Sequence, residues 1–280
     1  GYARSTGKIG VSLVVPGPGL LNASVGVGTA YATSSPILLI SGQIDTTSIG
    51  KNRGAVHEMA NQLGVLENIT KWRTRITAPQ QVPETIQNAM SHLKSGRPRP
   101  VAIEIPVDVL AQTSEVALRE PEIVPKIPPT AALSREAARL LAQAQRPVVW
   151  VGGGVTAADA HEELTQLVEA VNAAVIVTAE GKGSLSEEHP NYAGPYYYGH
   201  GVAHEVVPKA DVILAVGSRL NIGTSTTWAF NSDQILIRID ADEAELARNW
   251  PEQVSICADA KLALRGVLQE LNGRSVASEW

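Results

Sequence analysis

Short apolar runs alternate with segments of helical spacing along the first forty residues of the chain. The run Ser12–Val15 predicts a strand, Pro16–Gly19 predicts a turn, and the small residues that follow predict a helix leading to a second strand at Pro36–Ile40. This order is a βαβ unit with a glycine-rich loop at the carboxyl end of its first strand. In open α/β sheets a ligand usually lies there, because backbone N–H groups and a helix N-terminus face a crevice.

A helix and a buried strand complete the first half of the chain. Pro83 at the first helical position and Gly96 after the last one indicate the helix. The apolar run 100–110 predicts a strand buried on both faces of a parallel sheet. Between Ala111 and Thr130 four prolines stand among charged residues, so that no helix can persist, and we place the domain linker there.

A second α/β pattern begins after the linker. Ser134 is the expected N-cap of a helix, and Gly152–Gly154 end the strand that follows. The remaining pattern predicts a helix over 156–172, a strand over 173–183, a loop rich in Tyr and Gly, three more strands and a final helix over 261–271. Strands that alternate with helices in this way predict a parallel, doubly wound sheet.

The predicted fold class is therefore α/β, with two doubly wound parallel-sheet domains, the second of them Rossmann-like. The predicted boundaries are a first domain over 1–112, a linker over 113–132, a second domain over 133–272 and the start of a second linker over 273–280.

Composition narrows the classes of function. The 280 residues are 44% hydrophobic, and 23 basic against 28 acidic residues give a net charge of −5, with no basic stripe for nucleic acid or an anionic membrane. No apolar run reaches the roughly 18–20 residues of a membrane span, and we expect a cytoplasmic protein. The single cysteine, Cys257, lies in an apolar run and is expected to be a buried structural residue.

Ordered motifs in both halves carry a family resemblance. The first half reads GYAR-x-TGK-x-GV, then PGPG-x-x-N, then SGQ; the second reads RPVVWVGGG, the YYGHG motif Tyr197–Gly201, ADVILAVGSRL, IRIDAD-x-x-EL and ICADAKLALRGVLQEL. These segments resemble the pyrimidine-binding and central domains of thiamine diphosphate-dependent enzymes, in particular the acetolactate synthase-like group. The resemblance covers nearly the whole chain.

The resemblance implies a cofactor-facing surface in the first domain. Pro18, Gly19 and Asn22 would lie against the aminopyrimidine ring of thiamine diphosphate, where glycine permits close approach and proline stiffens the loop. His57 stands where such enzymes carry a Phe-Gln-Glu type motif near the reacting carbon, and it is the candidate catalytic residue. The alternative for His57 is a solvated histidine at a helix start.

The resemblance also implies what this chain lacks. The glutamate that activates the pyrimidine ring is expected upstream of Gly1. The domain that binds the diphosphate through Mg²⁺, with its Gly-Asp-Gly…Asn motif, is expected outside the chain. We therefore expect the chain alone to be inactive and to contain no metal ligands of its own.

In the second domain the resemblance implies FAD, ADP or no ligand. A nucleotide would be lined by glycines, a histidine and charged residues, namely Gly153, Gly154, His200, Gly201, Arg219, Asp240 and Asp259. The segment Leu220–Gly223 departs from the flavin-binding pattern. The alternatives are a surface ion pair for Arg219 and a solvated strand end for Asp240 and Asp242.

The implied activity of the intact enzyme is decarboxylation of a 2-oxo acid, followed by protonation or carboligation, in a homodimer or homotetramer. Two other classes stay open. One is a non-catalytic nucleotide-binding module, and the other is a structural or regulatory relative that has lost its chemistry.

Overall fold

The computed structural model of the protein describes residues 1–196, 201–220, 231, 233–273, 276 and 278–280. The chain divides into two units, Gly1–Pro125 and Lys126–Trp280. This division lies inside the segment predicted as a linker. Residues 112–130, all of them described, contain neither a helix nor a strand, because prolines interrupt any helix that begins there.

The first unit is a parallel sheet with helices on both faces. Its strands lie in the order β1-β2-β4-β3, and every pair is parallel. They are β1 (Gly10–Val14), β2 (Ile37–Gln43), β3 (Trp72–Arg75) and β4 (Val101–Pro106). The helices are α1 (Tyr2–Thr6), α2 (Pro18–Ala32), α3 (Gln62–Leu66), α4 (Val82–Lys94) and α5 (Val107–Leu110).

Successive residues of β2 face opposite cores. Leu39 packs with Leu20 of α2, whereas Leu38 packs with Leu93 of α4. Side chains alternate along a strand, so α2 and α4 cover the two faces of the sheet. The predicted doubly wound α/β architecture is confirmed for this unit.

Two elements of the first unit escape the hydrophobic pattern. The sequence of strand β3 contains no apolar run, which agrees with the absence of a fully buried residue in this strand. Helix α3 is short and is held by Asn61, whose side chain accepts from Gly64 N. The strand predicted to reach residue 110 ends at Pro106, where α5 begins.

Lys71 ties the start of β3 to the end of α4. Its Nζ donates to the backbone carbonyl oxygens of His92 (3.0 Å), Ser95 and Arg97 (3.1 Å). The carbonyls of His92 and Ser95 lie at the C-terminus of α4, where the helix itself leaves its last carbonyls without partners, and Arg97 follows the helix.

We expect Lys71→Met to lower the free energy of unfolding by about 2 kcal/mol, because a charged donor to several carbonyls is lost. Urea denaturation measures the change. The matched control is Lys94→Met, on the exposed side of α4, for which we expect less than about 0.5 kcal/mol. Equal losses in the two variants would show that the carbonyl contacts of Lys71 do not stabilise the fold.

The second unit is also a parallel sheet, in the order β10-β9-β8-β5-β6-β7. Its strands are β5 (Pro147–Val151), β6 (Ala174–Val177), β7 (Tyr192–Pro195), β8 (Val212–Val216), β9 (Ile235–Asp240) and β10 (Val254–Cys257). Its described helices are α6 (Ala131–Gln143), α7 (Gly153–Ala157), α8 (His161–Val171), α9 (Ala203–Val206) and α10 (Ala260–Leu271).

Counted from β5, this strand order is 3-2-1-4-5-6, which is the doubly wound dinucleotide-binding order. The predicted Rossmann-like class is confirmed. The order reverses between β5 and β8, so a ligand crevice is expected at the carboxyl ends of these two strands.

Three local predictions in the second unit are wrong. The N-cap of α6 is Thr130, whose side chain accepts from Leu133 N, and Ser134 is buried inside the helix. The buried Oγ of Ser134 faces Gly266 of α10, where a Cβ would come within 2.7 Å of it.

The helix predicted over 156–172 is broken into α7 and α8 at Asp159, which has a φ of 53°. Strand β7 lies in the segment predicted as a loop, because Tyr and Gly hide its pattern. Among the described residues, no helix is both long and apolar enough to cross a membrane.

Candidate functional site

The loop between β1 and α2 has a backbone that only glycine adopts readily. Gly17 has φ 60° and ψ −111°, close to the first central position of a type II′ turn. Pro18 then opens α2, since its ring fixes a helical φ. A Cβ on Gly19 would lie 2.6 Å from Val15 Cγ2, so Gly19 packs against the residue that follows β1.

The structure places Pro18 and Asn22 on one exposed side of α2, one helical turn apart. Gly19 is half-buried between them. Of the three residues predicted to face the cofactor, two therefore present side chains to the outside. The third, Gly19, has no side chain and can offer a ligand only its backbone.

A turn carrying His57 lies directly on the glycine loop. A Cβ on Gly17 would come 2.7 Å from the carbonyl oxygen of His57. His57 has φ 67°, is exposed and does not lie at a helix start. The loop and His57, forty residues apart in sequence, are thus brought together by backbone contact.

Glu58 fixes the shape of this turn. Its carboxylate accepts from the backbone N–H groups of Arg53 (3.2 Å), Gly54 (2.7 Å) and Ala55 (3.0 Å). Burial works against ionisation of Glu58, but these hydrogen bonds outweigh it and lower the pKa of the carboxyl. The hydrogen bonds therefore stabilise the turn above the pKa of an unfolded-state glutamate. That stabilisation is lost as the pH falls through the lower folded-state pKa.

We expect Glu58→Gln to increase tryptic cleavage after Arg53 several-fold at pH 8, because an amide oxygen cannot bind three N–H groups as a carboxylate does. Timed digestion with mass spectrometry measures the rate. Glu67→Gln, which removes a surface ion pair with Arg73, is expected to leave cleavage after Arg53 unchanged. A Glu58→Gln protein cut at the wild-type rate would contradict this role.

Beneath the loop lies a polar cluster that sequence reasoning missed. It consists of the buried residues Ser41, Gln43, Gln62 and Glu104 and the half-buried Arg75. We call it the Gln62 cluster. Gly17 N donates to Gln62 Oε1 at 2.9 Å, and Gln62 Nε2 donates to Gly42 O at 2.8 Å and to Glu104 Oε2 at 3.1 Å. The Glu104 carboxylate is fully buried and pairs with Arg75 Nε.

The cluster joins the ends of three strands. Gly42 is in β2, Arg75 ends β3 and Glu104 is in β4. The sequence does carry one signal for this cluster. Gly17 stands between two prolines, so its N–H is the only backbone hydrogen-bond donor of Pro16–Pro18. Such a donor, once buried, requires a partner.

In the second unit, the glycines after β5 contact the chain itself. Gly152 N donates to Val216 O and Gly154 N donates to Gly217 O. A Cβ would lie 2.2 Å from Gly217 O at Gly152, and 2.5 Å from Gly217 Cα at Gly154. At these two glycines the loop after β5 therefore packs directly against the backbone of Gly217. At Gly153 a Cβ would meet Glu180 Cβ at 3.0 Å.

The charged residues predicted to bind a nucleotide also have partners within the chain. Arg219 Nε lies 3.3 Å from Oε1 of the buried Glu245. Asp240 is only 8% exposed and accepts from Asp242 N, so it is not a solvated strand end.

Asp259 is the N-cap of α10 and pairs with Lys126 at 3.0 Å. Gly201 is exposed, with φ 94°. His200 and the departing residues 221–223 lie outside the described residues. Within the part of the chain that the structure describes, Arg219, Asp240 and Asp259 each have a polar partner in the chain, and the nucleotide site stays a prediction.

Comparison with known proteins gives two family matches. The model "Thiamine pyrophosphate enzyme, N-terminal TPP binding domain" matches residues 1–65, and "Thiamine pyrophosphate enzyme, central domain" matches residues 134–267. The glycine loop and His57 lie in the first match.

Relatives and a solved structure agree with these matches. The chain is 36% identical to a "Probable acetolactate synthase large subunit" of Methanocaldococcus jannaschii, covering 97% of this chain and 47% of the relative. It is also 36% identical to a "Probable 2-ketoarginine decarboxylase AruI" of Pseudomonas aeruginosa, covering 97% and 48%. The fold resembles a "putative thiamin diphosphate-dependent enzyme" of Mycobacterium smegmatis, with a TM-score of 0.78, 22% identity, and coverage of 98% of this chain and 53% of that one. The chain spans about half the length of the curated relatives that it matches.

Proposed function

We propose, from the premise that this chain belongs to the thiamine pyrophosphate enzyme family, that the whole protein is a decarboxylase or carboligase acting on a 2-oxo acid. The membership confirms the predicted resemblance. The observation that carries the proposal is the contact between the glycine loop and the His57 turn at the carboxyl end of β1, inside the matched cofactor-binding region.

The described residues fit one end of the cofactor. Pro18 and Val56 are exposed apolar side chains on the two segments that meet at Gly17, and they suit the face of a flat aminopyrimidine. We assign Pro18, the Gly19 backbone and Asn22 to this contact. Thiamine pyrophosphate, when bound, supplies carbanion stabilisation.

We propose His57 as the residue that acts on the substrate. Its imidazole is exposed beside the loop and can donate or accept a hydrogen bond as a 2-oxo acid binds. The relatives include both an acetolactate synthase and a ketoarginine decarboxylase by name. We therefore propose a reaction class that contains two alternatives, carboligation and simple decarboxylation.

We further propose that Mg²⁺ and the diphosphate are bound by a region of the whole protein outside this chain, that this chain alone is inactive, and that the intact enzyme is a cytoplasmic homodimer or homotetramer. For the second unit we keep FAD, ADP and no ligand as the three alternatives, and a visible absorption spectrum of the full-length protein separates FAD from the other two.

The test uses the full-length protein with thiamine pyrophosphate and Mg²⁺. We expect calorimetric binding and carbon dioxide release from a panel of 2-oxo acids. His57→Ala is expected to lower kcat about tenfold or more while cofactor binding persists. Cofactor binding without any turnover would favour the structural or regulatory relative, and absence of both would contradict the proposal.

A further inference from the structure

The loop Pro16–Pro18 offers the rest of the protein a single backbone hydrogen-bond donor. Pro16 and Pro18 have no N–H, so the donor is Gly17 N, which is buried. This donor binds Gln62 Oε1 at 2.9 Å. Gln62 therefore holds the loop by the one N–H group that the loop contains.

The orientation of the Gln62 amide is fixed by its surroundings. Glu104 Oε2 and Gly42 O, at 3.1 and 2.8 Å, only accept hydrogen bonds and so require the NH₂ side of the amide. The oxygen is then directed at Gly17 N. Gln62 is 1% exposed, so water does not substitute for either contact.

The far side of the amide is anchored to the sheet. Glu104 is held between Arg75 and the Nε2 atoms of Gln62 and Gln43, the latter at 3.4 Å. A buried carboxylate with a guanidinium partner is a rigid acceptor. The loop is thus linked through one side chain to β2, β3 and β4.

We infer that Gln62 is a positioning residue for the reaction proposed above: it sets the Gly17 backbone, and through it Pro18 and the His57 turn, relative to the sheet. This inference rests on the proposed function. Gln62 itself is buried and is not placed against substrate or cofactor.

The test compares Gln62→Met with Gln234→Met in the full-length protein. Gln234 is a buried glutamine of the second unit whose Oε1 accepts from Asn231 N at 2.9 Å and whose Nε2 donates to two backbone carbonyls. It matches Gln62 in hydrogen bonding but lies outside the glycine loop. Gln62→Asn, one methylene shorter, is a milder variant if the methionine protein folds poorly.

For Gln62→Met we expect hydrogen–deuterium exchange of a peptide spanning Leu13–Leu21 to become about tenfold faster. We expect kcat per folded molecule to fall about tenfold or more, with KM for the 2-oxo acid changed less than about twofold, because misplaced groups slow chemistry more than binding. Gln234→Met is expected to change neither quantity.

Unchanged exchange in a folded Gln62 variant would overturn the inference whatever the enzyme does. Faster exchange with an unchanged kcat would also overturn it, because the loop would be held without consequence for catalysis. A wild-type protein without cofactor binding or turnover would reject the proposed function instead, and the exchange data would still report whether Gln62 holds Gly17.

Discussion

Replacing Gly17 with alanine is expected to abolish measurable turnover of the full-length enzyme, a loss of at least about a hundredfold. An L-residue at φ 60° and ψ −111° is strained by about 1–3 kcal/mol. The new Cβ would also lie 2.7 Å from the carbonyl oxygen of His57. That oxygen belongs to backbone, so the whole turn must move away from the loop.

The control for Gly17→Ala is Gly7→Ala. Gly7 has a similar φ of 68° at the end of α1, but nothing lies within 4 Å of its Cβ position. We expect it to cost about 1 kcal/mol of stability and no activity. Steady-state kinetics beside urea denaturation separate the two effects. A Gly17→Ala enzyme that keeps more than a tenth of wild-type kcat would show that the contact between loop and turn does not govern catalysis.

The sequence predicted the strands, the helix and the glycine loop of this site, but it did not predict the side chain that holds the loop in place. The glycine loop is readable because Pro and Gly interrupt an apolar run, and β1, α2 and β2 follow from periodicity. Gln62 lies in a polar segment with no period, so hydrophobic pattern gives it no weight. Its importance comes from a contact with Gly17, forty-five residues earlier in the chain.

The three glycines after β5 show the reverse case, in which the sequence motif is clear but its contact partner is not. Their sequence predicts room for a phosphate, and in the structure Gly152 and Gly154 let two loops of the chain meet at Gly217. A glycine motif indicates that the backbone lies very close to another group, either in a ligand or in the protein. Only the structure says whether that partner is a ligand or the protein itself.

The largest stability effect is expected at a buried ion pair of the second unit. Arg238 of β9 is fully buried, with Nη1 at 3.0 Å from Oε1 of the fully buried Glu252 and Nη2 at 3.9 Å from Asp240. Its Nε and Nη2 find no hydrogen-bond acceptor among the described residues. Arg238 therefore depends on nearby carboxylates, because a buried guanidinium that loses its charge partner is strongly destabilising.

We expect Glu252→Gln to destabilise the second unit by about 3 kcal/mol, since it removes the charge that Arg238 needs. The amide keeps one oxygen, which can still accept from Ala247 N, and replaces the oxygen that accepts from Ser255 Oγ with an NH₂ group. Exchange of the β9 amides, which reports the stability of this unit, measures the loss. Adding Arg238→Met should recover most of it, because an apolar side chain suits the face shared with Trp150 and Leu236. If the double variant is no more stable than Glu252→Gln, the loss comes from the hydrogen bonds of Glu252, and the charge of Arg238 is satisfied without it.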